Sequence, residues 1–310
     1  MESREMVNAR ILIAGGDGQL GREFADITDA SVELIRCTRS ELDITDPASI
    51  EAALDLHQPQ AIINAAAYTA VDRAETDTAQ AFTINASGPG LLAQAAERRG
   101  IVLLHVSTDY VFSGDKPVGD TWSEQDACEP RSVYGSSKLA GEKQVLELCS
   151  KALVLRTSWV FGRYGNNFPK TMLRLARERD ELRVVGDQWG CPTHAGDIAS
   201  TLVKAAQAML VGHLPSGVYH YAGTPVCTWY ELASFVVESA FAVGLLSHKP
   251  RIVPIGTSEY PVAAARPVNS ALCCDQLCSL LGLVLPDWKP AVLSLCQYEQ
   301  QPSSPPKDLC

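Results

Sequence analysis

The chain has 310 residues, 46% of them hydrophobic, and a formal charge of −10. That length and apolar content suit one large α/β unit with a smaller lobe and exclude global disorder. The acidic balance argues against nucleic-acid binding, which needs a basic footprint, and no apolar run is long enough to cross a bilayer.

Residues 10–14 (RILIA) are a short apolar run closed by glycines, the pattern of a buried strand. Residues 19–28 read as a helix and residues 32–37 (VELIRC) as a second strand. Asp46-Pro47 is a helix start, a cap followed by proline at the first helical position, and Ile50, Ala53 and Leu54 then recur at helical spacing. Residues 61–64 (AIIN) give a third strand. A long helix over about 79–99 leads to a fourth at 101–106 (IVLLHV). The second half is less regular, with strands at 152–157, 182–186 and 218–222 and a helix at 167–179. Continuously apolar strands alternating with helices predict a Rossmann-type doubly wound parallel sheet, covered on both faces, with a smaller interleaved C-terminal substrate lobe. The expected division is a dinucleotide-binding domain over 1–160 with later returns to the sheet, a mainly substrate-binding lobe over 161–296, and a flexible polar tail over 297–310.

The opening MESREMVNAR lacks the apolar stretch of a secretory signal, so the expected location is cytoplasmic. The 10 cysteines are scattered with no C-x-x-C pair, and are expected as reduced, mostly buried thiols rather than zinc ligands or disulfides.

Gly15-x-x-Gly18-x-x-Gly21 follows the first strand and opens a helix. One glycine allows a tight turn, one lets backbone approach a pyrophosphate, and one lets the helix pack on the strand. Where an acid would hold a ribose 2′-hydroxyl, the second strand ends in Cys37-Thr38-Arg39-Ser40. Arg39 suits a 2′-phosphate, which predicts NADPH, with NADH as the second choice.

Tyr134 and Lys138, in YGSSK, stand four residues apart and share one helix face. A free phenol titrates near ~10, and lowering it by about three units takes roughly 4 kcal/mol of phenolate stabilisation. A nearby ammonium in a dry site could supply that. Upstream, the fourth strand runs into Val106-Ser107-Thr108-Asp109-Tyr110. Ligands of doubly wound sheets sit at the carboxyl ends of strands, so the Thr108 hydroxyl is placed to hold a carbonyl oxygen beside the phenol.

Together, GGDGQLGRE, LDITDPASIEAAL, NAAAYTAVDRAE, VSTDYVFSG, YGSSKLAGEK, LRTSWVFG, NNFPKTMLRLA, DQWGCPT and ARPVNSAL resemble the extended short-chain dehydrogenase/reductases. More narrowly they resemble the dTDP-4-dehydrorhamnose reductases, in order across nearly the whole chain. The resemblance implies Thr108, Tyr134 and Lys138 as a catalytic triad. It places Gln19 and Leu20 with the glycine turn, Asp43 and Ile44 beside the adenine, and Ala65, Ala66 and Tyr68 along the cofactor cleft. Asp109 and Tyr110 would face the sugar, Trp159 would pack near the hexose, and Arg266 would meet the diphosphate. It implies NADPH-dependent reduction of a 4-keto nucleotide sugar to dTDP-L-rhamnose, with Tyr134 as proton donor and Lys138 orienting the ribose and holding the phenol's pKa down. Related 4,6-dehydratases carry Asp-Glu after the threonine; here Asp109 is followed by Tyr110, which favours simple reduction. His194 departs from the family pattern and is expected to be structural. Some relatives join subunits through metal-bound glutamates; Glu23 matches one, but the others fall at Gly196 and Lys289. No metal is therefore expected, and a homodimer is allowed only without a metal bridge. Two other readings stay open: another 4-ketoreductase or epimerase of the superfamily, and a non-catalytic regulatory subunit with the same fold.

Overall fold

The computed structural model describes residues 9–300. Six strands form one sheet: β1 (Ala9–Ala14), β2 (Val32–Cys37), β3 (Ala61–Asn64), β4 (Val102–Thr108), β5 (Ala152–Thr157) and β6 (Gly217–His220). They lie in the order β6-β5-β4-β3-β1-β2, and every pair is parallel. The chain moves from β1 out to β2, then returns to β3 on the other side of β1. That reversal opens a crevice beyond the carboxyl ends of β1 and β3, where doubly wound sheets bind ligands.

The main helices are α1 (Gln19–Glu23), α2 (Pro47–His57), α3 (Gly88–Arg99), α4 (Val133–Leu148), α5 (Phe168–Glu178), α6 (Ala195–Leu210), α7 (Trp229–Ala242) and α8 (Trp288–Gln300). Alternate strand residues feed opposite layers. Ile11, Ile13, Ile63, Leu104 and Leu155 pack with Ile198 and Leu202 of α6, whereas Leu12, Ile62, Leu103 and Val154 pack with Leu54 of α2, Leu92 of α3 and Val145 of α4. Each fully buried aliphatic side chain contributes about 1.5–3 kcal/mol, so both faces of the sheet are held and the strands show no polar alternation. A separate core of Leu173, Val184, Val236 and Val292 joins α5, α7 and α8 to a parallel strand pair, Glu181–Val185 with Arg251–Ile255.

Several boundaries differ from the sequence pattern. The first helix gives way after Glu23 to a 3₁₀ turn, Phe24–Asp26. β4 runs on to Thr108, because the hydroxyl residues at its end still pair with β5. The helix expected over 79–99 contains a π segment, Thr83–Ser87, between Thr78–Phe82 and α3. The wider turn brings Asn85 inside, where it bonds Tyr68 backbone and the Ser137 hydroxyl. The strand expected at 182–186 pairs outside the main sheet, and the one at 218–222 forms its edge as β6. α8 continues to Gln300, past the expected start of the tail; residues 301–310 lie outside the described residues. Among the described residues no helix is long and apolar enough to cross a membrane.

Candidate active site

Gly15 follows β1 with φ +78°, a left-handed conformation that favours glycine. A Cβ on it would lie 2.8 Å from Ala66, in the loop after β3, and a Cβ on Gly21 would strike the Gly15 carbonyl. The turn is therefore pressed between α1 and that loop, which is why glycine stands at 15 and 21. Gly18 caps α1, Gln19 donates to Val160 O at 3.1 Å, and Leu20 packs into the core. Gly16 N donates to Cys37 O at 2.8 Å, and Ala65 N to Ala14 O at 3.0 Å, so the ends of β1, β2 and β3 are tied round one crevice.

At the end of β2, Asp17, Thr38, Arg39, Ser40 and Asp43 line an open cleft of about 500 Å³. The Arg39 side chain is 69% exposed, with Nε 3.3 Å from Asp43 Oδ2. Hydrogen bonds from Thr45, and then Arg39, hold the Asp43 carboxyl below its usual range. Ile44 is buried. Tyr68 donates its hydroxyl to Asp77 at 3.1 Å.

The Tyr134/Lys138 helix, α4, begins at the Ser132 cap, whose hydroxyl accepts from Gly135 N at 3.1 Å. The small residues between tyrosine and lysine are a packing requirement. A Cβ on Gly135 would strike the Tyr110 carbonyl, and Ser137 is fully buried against Asn85. This close approach brings the Tyr134 phenol beside Thr108 at the end of β4, near enough for that hydroxyl to act on it. The Tyr110 ring packs edge-on to Tyr134, centroids 5.5 Å apart. Thr108 Oγ1 donates to Asp109 Oδ1 at 3.0 Å and accepts from Tyr110 N at 3.2 Å.

The expected depression of the phenol is not found. Burial pushes Tyr134 up to about 12, with the Thr108 hydroxyl opposing and the Asp109 carboxylate adding to the rise. Lys138 is not among the groups acting on it. The lysine is 2% exposed and donates from Nζ to Val106 O at 2.6 Å. Burial pushes its ammonium down to about 8, against the pull of Glu142. Burial likewise raises the Asp109 carboxyl to about 6, against the Ser270 and Thr108 hydroxyls.

Two of the residues expected around the substrate, Trp159 and Arg266, come from the C-terminal half of the chain. Trp159, just past β5, has φ +47° and stacks on Trp229 with ring centroids 3.4 Å apart; its indole lies where Gly190 leaves space for it. Arg266 forms a bidentate pair with Asp72, 2.8 and 2.6 Å, so in this structure its guanidinium is already engaged. His194 stands apart from the crevice, with Nδ1 3.7 Å from Asp197 and Glu23 and Gly196 beside it. Lys289 lies over Phe235 and Trp288 instead. These residues do not supply a ligand set, and among the described residues no group of three or more His, Cys, Asp or Glu side chains could hold a metal. The sequence reading did not single out Asn64, Asp72, Asn85, His105 or Ser270. The signal for His105 was present as the one polar residue within IVLLHV.

A dinucleotide-type crevice with a Thr–Tyr–Lys constellation at the end of β4 defines an oxidoreductase of the extended short-chain dehydrogenase/reductase class. The family model of the RmlD substrate binding domain matches residues 9–300. The chain is 44% identical to a dTDP-4-dehydrorhamnose reductase of Aggregatibacter actinomycetemcomitans, covering 94% of this chain and 100% of that protein. It is 42% identical to that of Burkholderia thailandensis, over 93% and 97%. The crystal structure of the Bacillus anthracis dTDP-4-dehydrorhamnose reductase in complex with NADP superposes with a TM-score of 0.85, at 35% identity, covering 94% of this chain and 100% of that one. The chain belongs to the dTDP-4-dehydrorhamnose reductase family.

Asp109 generates a pH prediction. Because its folded pKa of about 6 is raised, it favours the folded state most below roughly pH 4, and that contribution is lost as pH rises through the folded value. Urea unfolding of wild type and Asp109→Asn across this range should show the variant gaining up to about 3 kcal/mol relative to wild type between roughly pH 4 and 7. A pH-independent difference would contradict the buried-acid reading.

Proposed function

We propose that the protein reduces the 4-keto group of dTDP-4-dehydro-L-rhamnose with NADPH to give dTDP-L-rhamnose. The observation that carries this is the Tyr134 phenol brought beside the Thr108 hydroxyl at the end of β4, in a chain of this family. The residues present fit the cofactor. The glycines at 15, 16, 18 and 21 leave backbone open for a pyrophosphate, and Thr38, Arg39 and Ser40 offer a cation and two hydroxyls for a 2′-phosphate. NADPH, when bound, supplies the hydride that the ketone carbon accepts.

The chain's own groups manage the oxygen. Reduction needs an acid, and a phenol raised to about 12 is fully protonated at neutral pH. Tyr134 donates that proton as negative charge grows on the carbonyl oxygen, a stronger base than the phenolate left behind. Thr108 turns its hydroxyl from Asp109 to donate to the same oxygen. Lys138, held by Val106 O, turns a free N–H toward the cofactor ribose. Asp109 Oδ2 has no hydrogen-bond partner among the described residues, which leaves an acceptor for a sugar hydroxyl. Tyr110 and Trp159 bound the hexose, Asp43, Ile44, Ala65, Ala66 and Tyr68 line the cofactor side, and Arg266 supplies positive charge to the diphosphate. The described cysteines are free thiols, which supports a cytoplasmic site of action.

Purified protein with NADPH and dTDP-4-dehydro-L-rhamnose should oxidise the cofactor and form the rhamnosyl nucleotide. Tyr134→Phe should lower kcat by about 10²–10⁴-fold while calorimetry finds NADPH binding unchanged; near-full turnover would remove the mechanism. Arg39→Ala should raise the Michaelis constant for NADPH roughly tenfold or more, the worth of one charged hydrogen bond, and leave that for NADH alone. Equal preference in both proteins would overturn the 2′-phosphate assignment.

A further inference from the structure

His105 lies on β4 between two groups of the crevice, wholly buried. On one side its Nδ1 is 3.0 Å from Asn64 Nδ2, at the end of β3. On the other its Nε2 is 3.4 Å from Lys138 Nζ. The sheet register sets Asn64 directly beside His105, so the contact is fixed by backbone pairing.

The hydrogen-bond directions follow from one end. Asn64 Oδ1 accepts from Ala66 N at 3.1 Å. The amide must then present Nδ2 to the imidazole, and an NH₂ group can only donate. Nδ1 therefore accepts, and a neutral ring carries its proton on Nε2. Burial pushes His105 well below the ordinary histidine range, so the ring is neutral. The Nε2–H then points at Lys138 Nζ, and an N–H···N bond there needs the lone pair of an uncharged amine.

We infer that His105 is a positioning residue for Lys138: Asn64 locks its ring as the Nε2–H tautomer, which favours the neutral amine over the ammonium and sets how readily the lysine carries charge beside Tyr134. The inference rests on the proposed role of Lys138 and adds a control on it. Opposing charge near the lysine is limited. Glu142, one turn further along α4, is bound by Arg156 of β5 at 2.7 Å. Asp109 and Tyr134 lie toward the Thr108 end, and the π segment packed on α4 presents only the neutral Asn85 to Ser137. The same amide chain reaches the loop of Ala65 and Ala66, so a shift of that loop is felt at the lysine through Asn64.

The test reads protonation directly and does not depend on turnover. In the cofactor-bound protein labelled with ¹³Cε-lysine, the Lys138 resonance is assigned by its loss in Lys138→Met and followed with pH. Its midpoint should lie about two units below that of an ordinary lysine, and ¹⁵N spectra should show His105 protonated on Nε2. Asn64→Asp replaces the donor with an acceptor, which draws the ring proton to Nδ1 and offers Lys138 a lone pair; the midpoint should rise by about one unit or more. His105→Phe removes the donor and should also raise it. The alkaline limb of the kcat/KM profile should move with the midpoint. A wild-type ring protonated on Nδ1, or an unmoved lysine midpoint in a folded Asn64→Asp protein, would overturn the inference. Inactivity toward the sugar nucleotide with the expected titrations would instead count against the proposed function alone.

Discussion

The seating of α4 on the carboxyl end of β4 is the constraint on which the rest of the site depends. Gly135 lets the helix touch the Tyr110 carbonyl, and Lys138 is anchored to the Val106 carbonyl. Those two contacts place the phenol against Thr108 without a flexible loop between them. A side chain at Gly135 would lift the helix, and the hydroxyl pair would separate. β4 itself is fixed by pairing with β3 and β5 on both sides, so the sheet transmits its rigidity to the reacting groups.

Burial governs the electrostatics more than pairing does. Tyr134, Asp109 and Lys138 all shift toward their neutral forms, and desolvation is the first cause in each. A site built this way keeps a proton on the phenol and brings Asp109, at about 6, and Lys138, at about 8, close to neutral pH. The lysine, cast by the family resemblance as the cation that acidifies the tyrosine, instead turns toward His105 and the Val106 carbonyl of the strand. That arrangement suits the proposed reduction, in which the phenol gives a proton rather than takes one.

Local patterns announced the sheet and the three central residues because both rest on short-range rules. Apolar runs such as AIIN and IVLLHV marked strands buried on two faces, and the glycine spacing after β1 marked the turn. The i, i+4 spacing alone put Tyr134 and Lys138 on one face. What stayed hidden depends on distant segments. The π segment arises from packing Asn85 between Tyr68 and Ser137, which no local propensity encodes. The Arg266–Asp72 pair joins residues 194 apart, and the partner of Trp159 is Trp229 at the start of α7. The raised phenol could not be foreseen either, because spacing reveals which groups are neighbours and not how dry their surroundings are.

A crystal structure of the protein with NADP⁺ and dTDP-L-rhamnose tests the central claim most directly. The account predicts the rhamnose O4 within about 3.2 Å of both the Tyr134 and Thr108 hydroxyls, with C4 facing the nicotinamide. A sugar bound with its O4 turned away from that hydroxyl pair, or a nicotinamide ring outside the crevice between β1 and β3, would contradict it.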